Sequence, residues 1–310
     1  MQKKIVFMGT PNFSVPILKS IYKNNFLVEA VYTQPPKKSQ RGQKINKSPI
    51  NKIAENLGIT CRVPTILKDN KEEYEFLKKL NPDIVIVVAY GQIIPKEFIE
   101  ICKLGFINVH GSILPKWRGA APIQRSIINL DKETGISIMK ISEKLDSGPV
   151  CSVYKIKISP NDNTQEISKK LSLLASEKII IEIKDILEGK AKFVTQNHTQ
   201  ATYAKKITKS EGLIDWADSP EKIIGKVNGL FPVPGAFFIY NEERYKVLKA
   251  EITKNKGQIG EVLTNDLEIA CGDNQSLRIL KIQRQGKKPQ DIKEFILGSQ
   301  IKKGTNLINA

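Results

Sequence analysis

A chain of 310 residues that is 40% hydrophobic and 26% charged has the make-up of a globular protein of about two domains with a sizeable core. Its longest apolar runs, such as residues 84–89, are far shorter than the roughly 20 residues a membrane span needs, and MQKKIVFMGT enters a strand-like run with no signal-peptide pattern, so a cytoplasmic protein is expected. The formal charge of +17, with a pI near 9.5, favours polyanionic partners such as nucleic acid, whereas four cysteines that form no Cys-x-x-Cys pair, with only two histidines, exclude a clustered metal site; no metal is expected.

Residues 3–8 (KKIVFM) form a short apolar run ending at Gly9, residues 14–22 have helical spacing, and residues 28–33 read as a second strand. Residues 35–49, PPKKSQRGQKINKSP, carry Lys37, Lys38, Arg41, Lys44 and Lys47, contain no acid and are broken by proline and glycine; a basic loop is expected, with no regular structure. Helices follow over 49–57 and 71–80, the second closed by the Asn81-Pro82 break. Residues 83–89 (DIVIVVA) suit a central parallel strand covered on both faces, and 106–110 are a further strand. A helix over 120–129, strands over 135–141 and 150–158 and a helix-rich stretch over 164–187 complete this half. The alternation implies an α/β domain: a doubly wound, Rossmann-like, mostly parallel sheet whose ligand site lies at the carboxyl ends of its strands. Residues 190–208 are polar and weakly patterned and read as a linker. Beyond them, a hairpin around residues 241–243 and short alternating segments at 260–263, 267–271 and 277–283 suit a smaller, OB-like antiparallel β-barrel. The expected division is therefore 1–189, 190–208 and 209–310.

Charge is spread unevenly: residues 206–310 carry +4, leaving +13 in the first 205. Lys, Ile and Asn are abundant throughout, so nucleotide bias is an alternative source of the excess.

Two histidines bear on chemistry. His198 lies in TQNHTQ with nothing to orient it and is expected as a solvated surface residue. Asn108 and His110, two apart at a strand end, share one face, where an amide and an imidazole could bind a carbonyl oxygen and stabilise the charge it gains under attack. Asp146, in the turn KLDSGP, is the candidate carboxylate for the proton; the other reading is a turn aspartate capping its own backbone, and spacing alone leaves both open.

GSILPKWRGAAPIQ, at 111–124, resembles a signature of the folate-dependent formyltransferases, and the Asn-x-His before it matches their catalytic pair. FMGTP at 7–11, YTQP at 32–35, VVAYGQIIP at 87–95, ETGISIMKI at 133–141, LDSG at 145–148, TYAKKI at 202–207 and IDW at 214–216 extend the resemblance, which weakens after residue 248. It implies transfer of the formyl group of 10-formyltetrahydrofolate to the α-amine of methionyl initiator tRNA. In that implication Asn108 and His110 polarise the formyl oxygen and Asp146 orients the histidine or takes up the proton. Ser112, Ile113, Leu114 and Pro115 contact the folate, and residues 89–94 flank its pterin. The basic loop, with Lys38, Arg41 and Lys44, clamps the tRNA acceptor stem, while the C-terminal domain adds phosphate contacts. A cytoplasmic monomer is expected. The loop tip departs from that pattern in carrying Gln40, Gln43 and Asn46, and the +4 of the C-terminal part is modest for a tRNA-binding domain. The competing readings are another folate-dependent formyltransferase acting on a small amine, and a non-catalytic RNA-binding protein.

Overall fold

The structure, a computed structural model, describes residues 2–38 and 45–308, with backbone alone at Lys38 and Ile45. The chain divides into two compact units. One comprises Met1–Gly119, Thr134–Ile156 and Ser168–Tyr203; the other comprises Ala120–Glu133, Lys157–Ile167 and Ala204–Ala310.

The first unit is built on a seven-stranded sheet of β1 (Lys4–Gly9), β2 (Leu27–Tyr32), β3 (Thr60–Arg62), β4 (Ile84–Val88), β5 (Phe106–His110), β6 (Glu133–Lys140) and β7 (Val150–Lys157), in the order β7-β6-β5-β4-β1-β2-β3. Pairing is parallel from β3 through β2, β1 and β4 to β5, and turns antiparallel between β5 and β6. This is the expected doubly wound sheet with its switch point between β1 and β4, so the carboxyl ends of β1, β4 and β5 share one edge. Burial explains the order. All five residues of β4 are buried, as a strand covered on both faces requires. Val6 and Met8 of β1 join one cluster with Leu77, Phe98 and Phe106, while Ile5 and Phe7, alternating with them, are equally inaccessible.

Helices α1 (Val15–Lys23), α2 (Pro49–Asn56) and α3 (Lys71–Leu80) start and stop where local chemistry dictates. Ser48 caps α2 by accepting from Asn51 N, with Pro49 at its first turn; Asn70 caps α3 by accepting from Glu73 N, and Asn81 ends it in the left-handed region at φ 46°. Between β2 and α2 the expected loop has a hairpin stem, with Lys37–Lys38 paired antiparallel to Ile45–Asn46. Arg41 and Lys44 lie outside the described residues, as does the side chain of Lys38.

Further along, the helix expected from residue 120 begins at Pro122 (α4, Pro122–Ile128), because the preceding Ala121, at φ −136° and ψ 50°, lies outside the helical region that a following proline disfavours. The 24-residue α5 (Thr164–Leu187) carries an inward stripe of Ile167, Leu171, Ala175, Ile179, Ile183 and Ile186. The stretch read as a linker is fastened to the first unit up to residue 203: Val194 bridges Val150, and Thr202 O accepts from Arg118 N at 2.8 Å.

In the second unit, a curled antiparallel sheet comprises β8 (Ala236–Tyr240), β9 (Glu243–Thr253), β10 (Glu268–Ala270), β11 (Ser276–Arg284) and β12 (Gln290–Asp291), ordered β8-β9-β11-β10 with β12 on β11. The hairpin turn falls at Asn241 and Glu242, both with positive φ, as a two-residue turn demands. Trp216, Phe238, Tyr245 and Phe295 form a chain of ring contacts through its core, with centroids 5.4 to 5.9 Å apart. Helix α6 (Pro220–Leu230), which sequence patterning misses, packs in this unit against α4.

Candidate active site

The strand end predicted to carry chemistry lies at the carboxyl edge of the first sheet. β5 sets Asn108 opposite Met139 and His110 opposite Ser137 on β6, so both polar side chains face the same way. His110 is buried, 6% exposed, and its Nε2 lies 2.9 Å from Trp117 O. A carbonyl oxygen only accepts, so Nε2 carries the proton, and Nδ1 is left facing Asp146 Oδ2 at 3.6 Å. Asn108 Nδ2 donates to the other carboxylate oxygen, Oδ1, at 3.5 Å, the outer limit of a hydrogen bond. The three groups therefore meet around one carboxylate, and the turn aspartate does not spend its side chain on its own turn.

Two backbone segments hold the carboxylate there. Gly119 N donates to Asp146 Oδ2 at 2.8 Å. Asp146 sits in the left-handed region at φ 46°, and two residues later Gly148 passes so close to the 139–140 backbone that a Cβ would collide with Lys140 O. Only glycine lets LDSG turn tightly enough to return the carboxylate to β5.

The segment 112–119 is organised by its own polar groups. Ser112 is wholly buried and its hydroxyl donates to Lys116 O at 2.6 Å, so its side chain shapes the loop from within. Ser137, also wholly buried, donates to Ser112 O at 2.7 Å and accepts from Leu114 N at 3.0 Å. Ile113 lies over Gly135, where any Cβ would press on its Cγ1 at 3.1 Å and collide with Tyr154 O. Pro115 O accepts from Thr202 N at 3.3 Å. Trp117, at φ 60°, is pinned on both sides: its N–H donates to Thr202 Oγ1 at 2.9 Å and its carbonyl accepts from His110 Nε2.

At the end of β4, Ala89 and Gly91 both take positive φ. Thr10 Oγ1, at the end of β1, donates to Tyr90 O at 2.8 Å, and Gln92 Nε2 donates to Pro64 O at 2.8 Å. Ile93 is left 90% exposed beside this rim.

Sequence reasoning missed Gln196, whose amide bonds the Asp146 turn, and gave His198 no partner. Gln196 and His198 both bond Arg118, whose Nη2 reaches Gln196 Oε1 at 2.7 Å and His198 Nδ1 at 3.0 Å. His198 is exposed, as expected, but it is not free: its Nδ1 accepts from the guanidinium. The thiols supply no nucleophile. Burial pushes Cys61 up to about 11 and Cys151 and Cys271 up to about 12, so all three stay protonated near neutral pH. Among the described residues, no group of three or more His, Cys, Asp or Glu could hold a metal ion, and no helix is long and apolar enough to cross a membrane.

An α/β sheet presenting amide, imidazole and carboxylate at its carboxyl edge has the groups an enzyme site needs to bind a carbonyl oxygen and to take up a proton. The formyl transferase family model matches residues 3–183, and the formyl transferase C-terminal domain model matches 206–300; the chain belongs to the formyl transferase family. A methionyl-tRNA formyltransferase of Pelagibacter ubique is 66% identical over 309 residues, covering 100% of both chains. One from Caldanaerobacter subterraneus is 41% identical over 308 residues, covering 98% of this chain and 99% of its own. Among solved structures, the sugar 3N-formyl transferase WlaRD superposes with a TM-score of 0.67 at 19% identity, over 93% of this chain and 100% of its own. HypX of Aquifex aeolicus superposes at 0.64 and 16% identity, over 98% of this chain and 49% of its own. These two likenesses establish the shared fold.

Proposed function

We propose that this protein transfers the formyl group of 10-formyltetrahydrofolate to the α-amine of methionyl initiator tRNA. One observation carries the reading: Asp146 brings its two oxygens to 3.5 Å from the Asn108 amide and 3.6 Å from the His110 ring, in a chain 66% identical end to end to a methionyl-tRNA formyltransferase. A folate donor is further supported by two neighbours of the same fold, WlaRD in the presence of 5-N-formyl-THF and HypX in complex with tetrahydrofolic acid.

The chemistry follows from what these groups can donate and accept. The neutral amine attacks the formyl carbon and the formyl oxygen gains negative charge, which the Asn108 amide stabilises together with the His110 Nε2 proton as that proton exchanges Trp117 O for the formyl oxygen. The attacking nitrogen becomes acidic as the new C–N bond forms; Asp146, directly or through His110 Nδ1, takes its proton. Collapse breaks the bond to the folate nitrogen, which recovers a proton, giving tetrahydrofolate and the formylated amine. No covalent enzyme intermediate is needed, in keeping with the protonated thiols.

Residues 112–115 line the folate donor. Ile113, Leu114 and Pro115 supply apolar surface and backbone, while Ser112 and Ser137 hold them in register. The rim at 89–94, with exposed Ile93, flanks the pterin. Lys38, Arg41 and Lys44 neutralise phosphates of the acceptor stem, and residues 209–310 add contacts beyond 1–189 and the 190–208 segment. Phosphate contacts position the RNA without reading it. The protein acts in the cytoplasm as a monomer.

The test is formyl transfer from 10-formyltetrahydrofolate to initiator and elongator methionyl-tRNA side by side, with small sugar amines as a third acceptor. Formyl-methionyl initiator tRNA is expected. Formylation of the sugar amines alone would move the protein to another branch of the family, and no transfer to any acceptor would refute the reading.

A further inference from the structure

Gln196 has no part in the formyl-transfer chemistry above, yet its side chain is bonded to capacity. It is 7% exposed, and its amide nitrogen donates to Asp146 O at 2.9 Å and to Gly148 O at 2.7 Å. Its amide oxygen accepts from Arg118 Nε at 3.1 Å and Nη2 at 2.7 Å. Two donors and two acceptor sites are all that a carboxamide possesses. Arg118 is itself 3% exposed, and His198 Nδ1 holds the same Nη2 from its far side.

What this amide joins gives it a role. Its nitrogen grips the backbone of the turn that projects the Asp146 carboxylate. Its oxygen grips the arginine next to Gly119, whose N–H donates to that carboxylate, and one residue from Trp117, whose carbonyl fixes His110 Nε2. The bonds close a ring, from Asp146 backbone through Gln196 and Arg118 to Gly119 and back to the Asp146 side chain. The ring spans separations of 50 and 78 residues, and it sets both neighbours of the 3.6 Å gap between His110 Nδ1 and Asp146 Oδ2.

We propose that Gln196, backed by Arg118, is a positioning residue for formyl transfer: it registers the aspartate-bearing turn against the segment that orients the histidine, and so fixes their separation. This rests on the functional reading above. Asp146 in its left-handed conformation has little intrinsic reason to stay there, so a tie on its own carbonyl counts.

Gln196→Glu separates the two halves of the tie. A glutamate matches the size, still accepts from Arg118 and adds an ion pair, so the arginine side is kept. It places an oxygen against the carbonyls of Asp146 and Gly148 where a donor stood, so the turn is released. Expected are a kcat lowered roughly 10²-fold, the scale of a misplacement near 1 Å, and a displaced pH profile of kcat, while KM for the folate donor and for methionyl-tRNA moves less than about threefold. A residue that only braced the fold would lower the melting temperature and leave the kcat and pH profile of the folded fraction at wild-type values; that result overturns the proposal. Should Gln196→Glu not fold, Gln196→Met, of the same length and without polar contacts, is judged by the same criteria. Wild-type protein that formylates no tRNA defeats the functional reading, whereas active wild type with an equally active Gln196 variant defeats the positioning role alone.

Discussion

Ser137 is a sharp point at which to disturb the proposed folate segment, because one hydroxyl serves two backbone groups. It is fully buried on β6, opposite His110, and its oxygen accepts from Leu114 N at 3.0 Å and donates to Ser112 O at 2.7 Å. Ser137→Ala removes a single atom, too small a volume to admit a water, which needs about 10–15 Å³. The packing change is therefore minor, and the cost arises from two orphaned backbone groups, on residues 7% and 0% exposed. At about 1–3 kcal/mol for each buried unsatisfied group, the two together should weaken this segment by about 2–6 kcal/mol. A chain of two compact units need not unfold in one step, so the reading should be local. Amide hydrogen exchange at Leu114 is suited to it: that loss corresponds to exchange roughly 30- to 20,000-fold faster, at about tenfold per 1.4 kcal/mol. The kcat/KM for the folate donor should fall in parallel, with KM for tRNA held. Exchange at Leu114 within about twofold of wild type would mean that the two groups find other partners, and the account of Ser137 as the pin of residues 112–115 would be wrong.

Two further outcomes follow from the same geometry. Asp146→Asn retains the size of the side chain and an oxygen for Gly119 N, but it cannot take a proton; kcat for formyl transfer should drop by about 10²–10⁴-fold, as should that of His110→Ala, with tRNA affinity unchanged in a filter-binding titration. Activity of either variant within tenfold of wild type would remove that residue from its assigned role. Replacing Arg41 and Lys44 together by Ala should flatten the dependence of log affinity for tRNA on log salt by about 1.4 to 1.8, since each phosphate contact contributes about 0.7 to 0.9; an unaltered slope means that neither side chain touches phosphate.

The doubly wound sheet was legible because its central strands announce themselves. Ile84–Val88 is an unbroken β-branched run, which only a strand covered on both faces tolerates, and the neighbouring helices carry their own punctuation in Ser48-Pro49 and Asn81-Pro82. β3 was not legible: three residues, TCR, half-buried at the sheet edge, have no period to detect. α6 was missed for another reason. Ser219-Pro220-Glu221 is a good start signal, but Gly225 and Gly229 argue against a helix by propensity. In the structure both glycines face α4 and the residues after it, where a Cβ at 225 would stand 2.8 Å from Leu130 Cδ2 and one at 229 would collide with Ile128 Cγ1. Tertiary packing required the small residue and overrode its cost, and no local pattern in either segment names the other as its partner.

The site divides along the same line. Asn108 and His110 could be paired from sequence because a strand has a period of two, which fixes their common face without any knowledge of the rest of the chain. Asp146 could not be placed that way. What returns it to β5 is the approach of Gly148 to Lys140 and the Gly119 N–H on its carboxylate, contacts made by backbone atoms and so invisible in residue identities. Gln196 lay deeper still, within a polar stretch whose composition reads as solvated linker. Hydrophobicity reports burial only when burial is apolar; a carboxamide that finds partners for all its donors and acceptors can be sealed at 7% exposure and leave no trace in a hydropathy profile. The residues that tune the distance between the two proton-handling groups are of that kind, and for that reason they belong among the first to be tested on the folded protein.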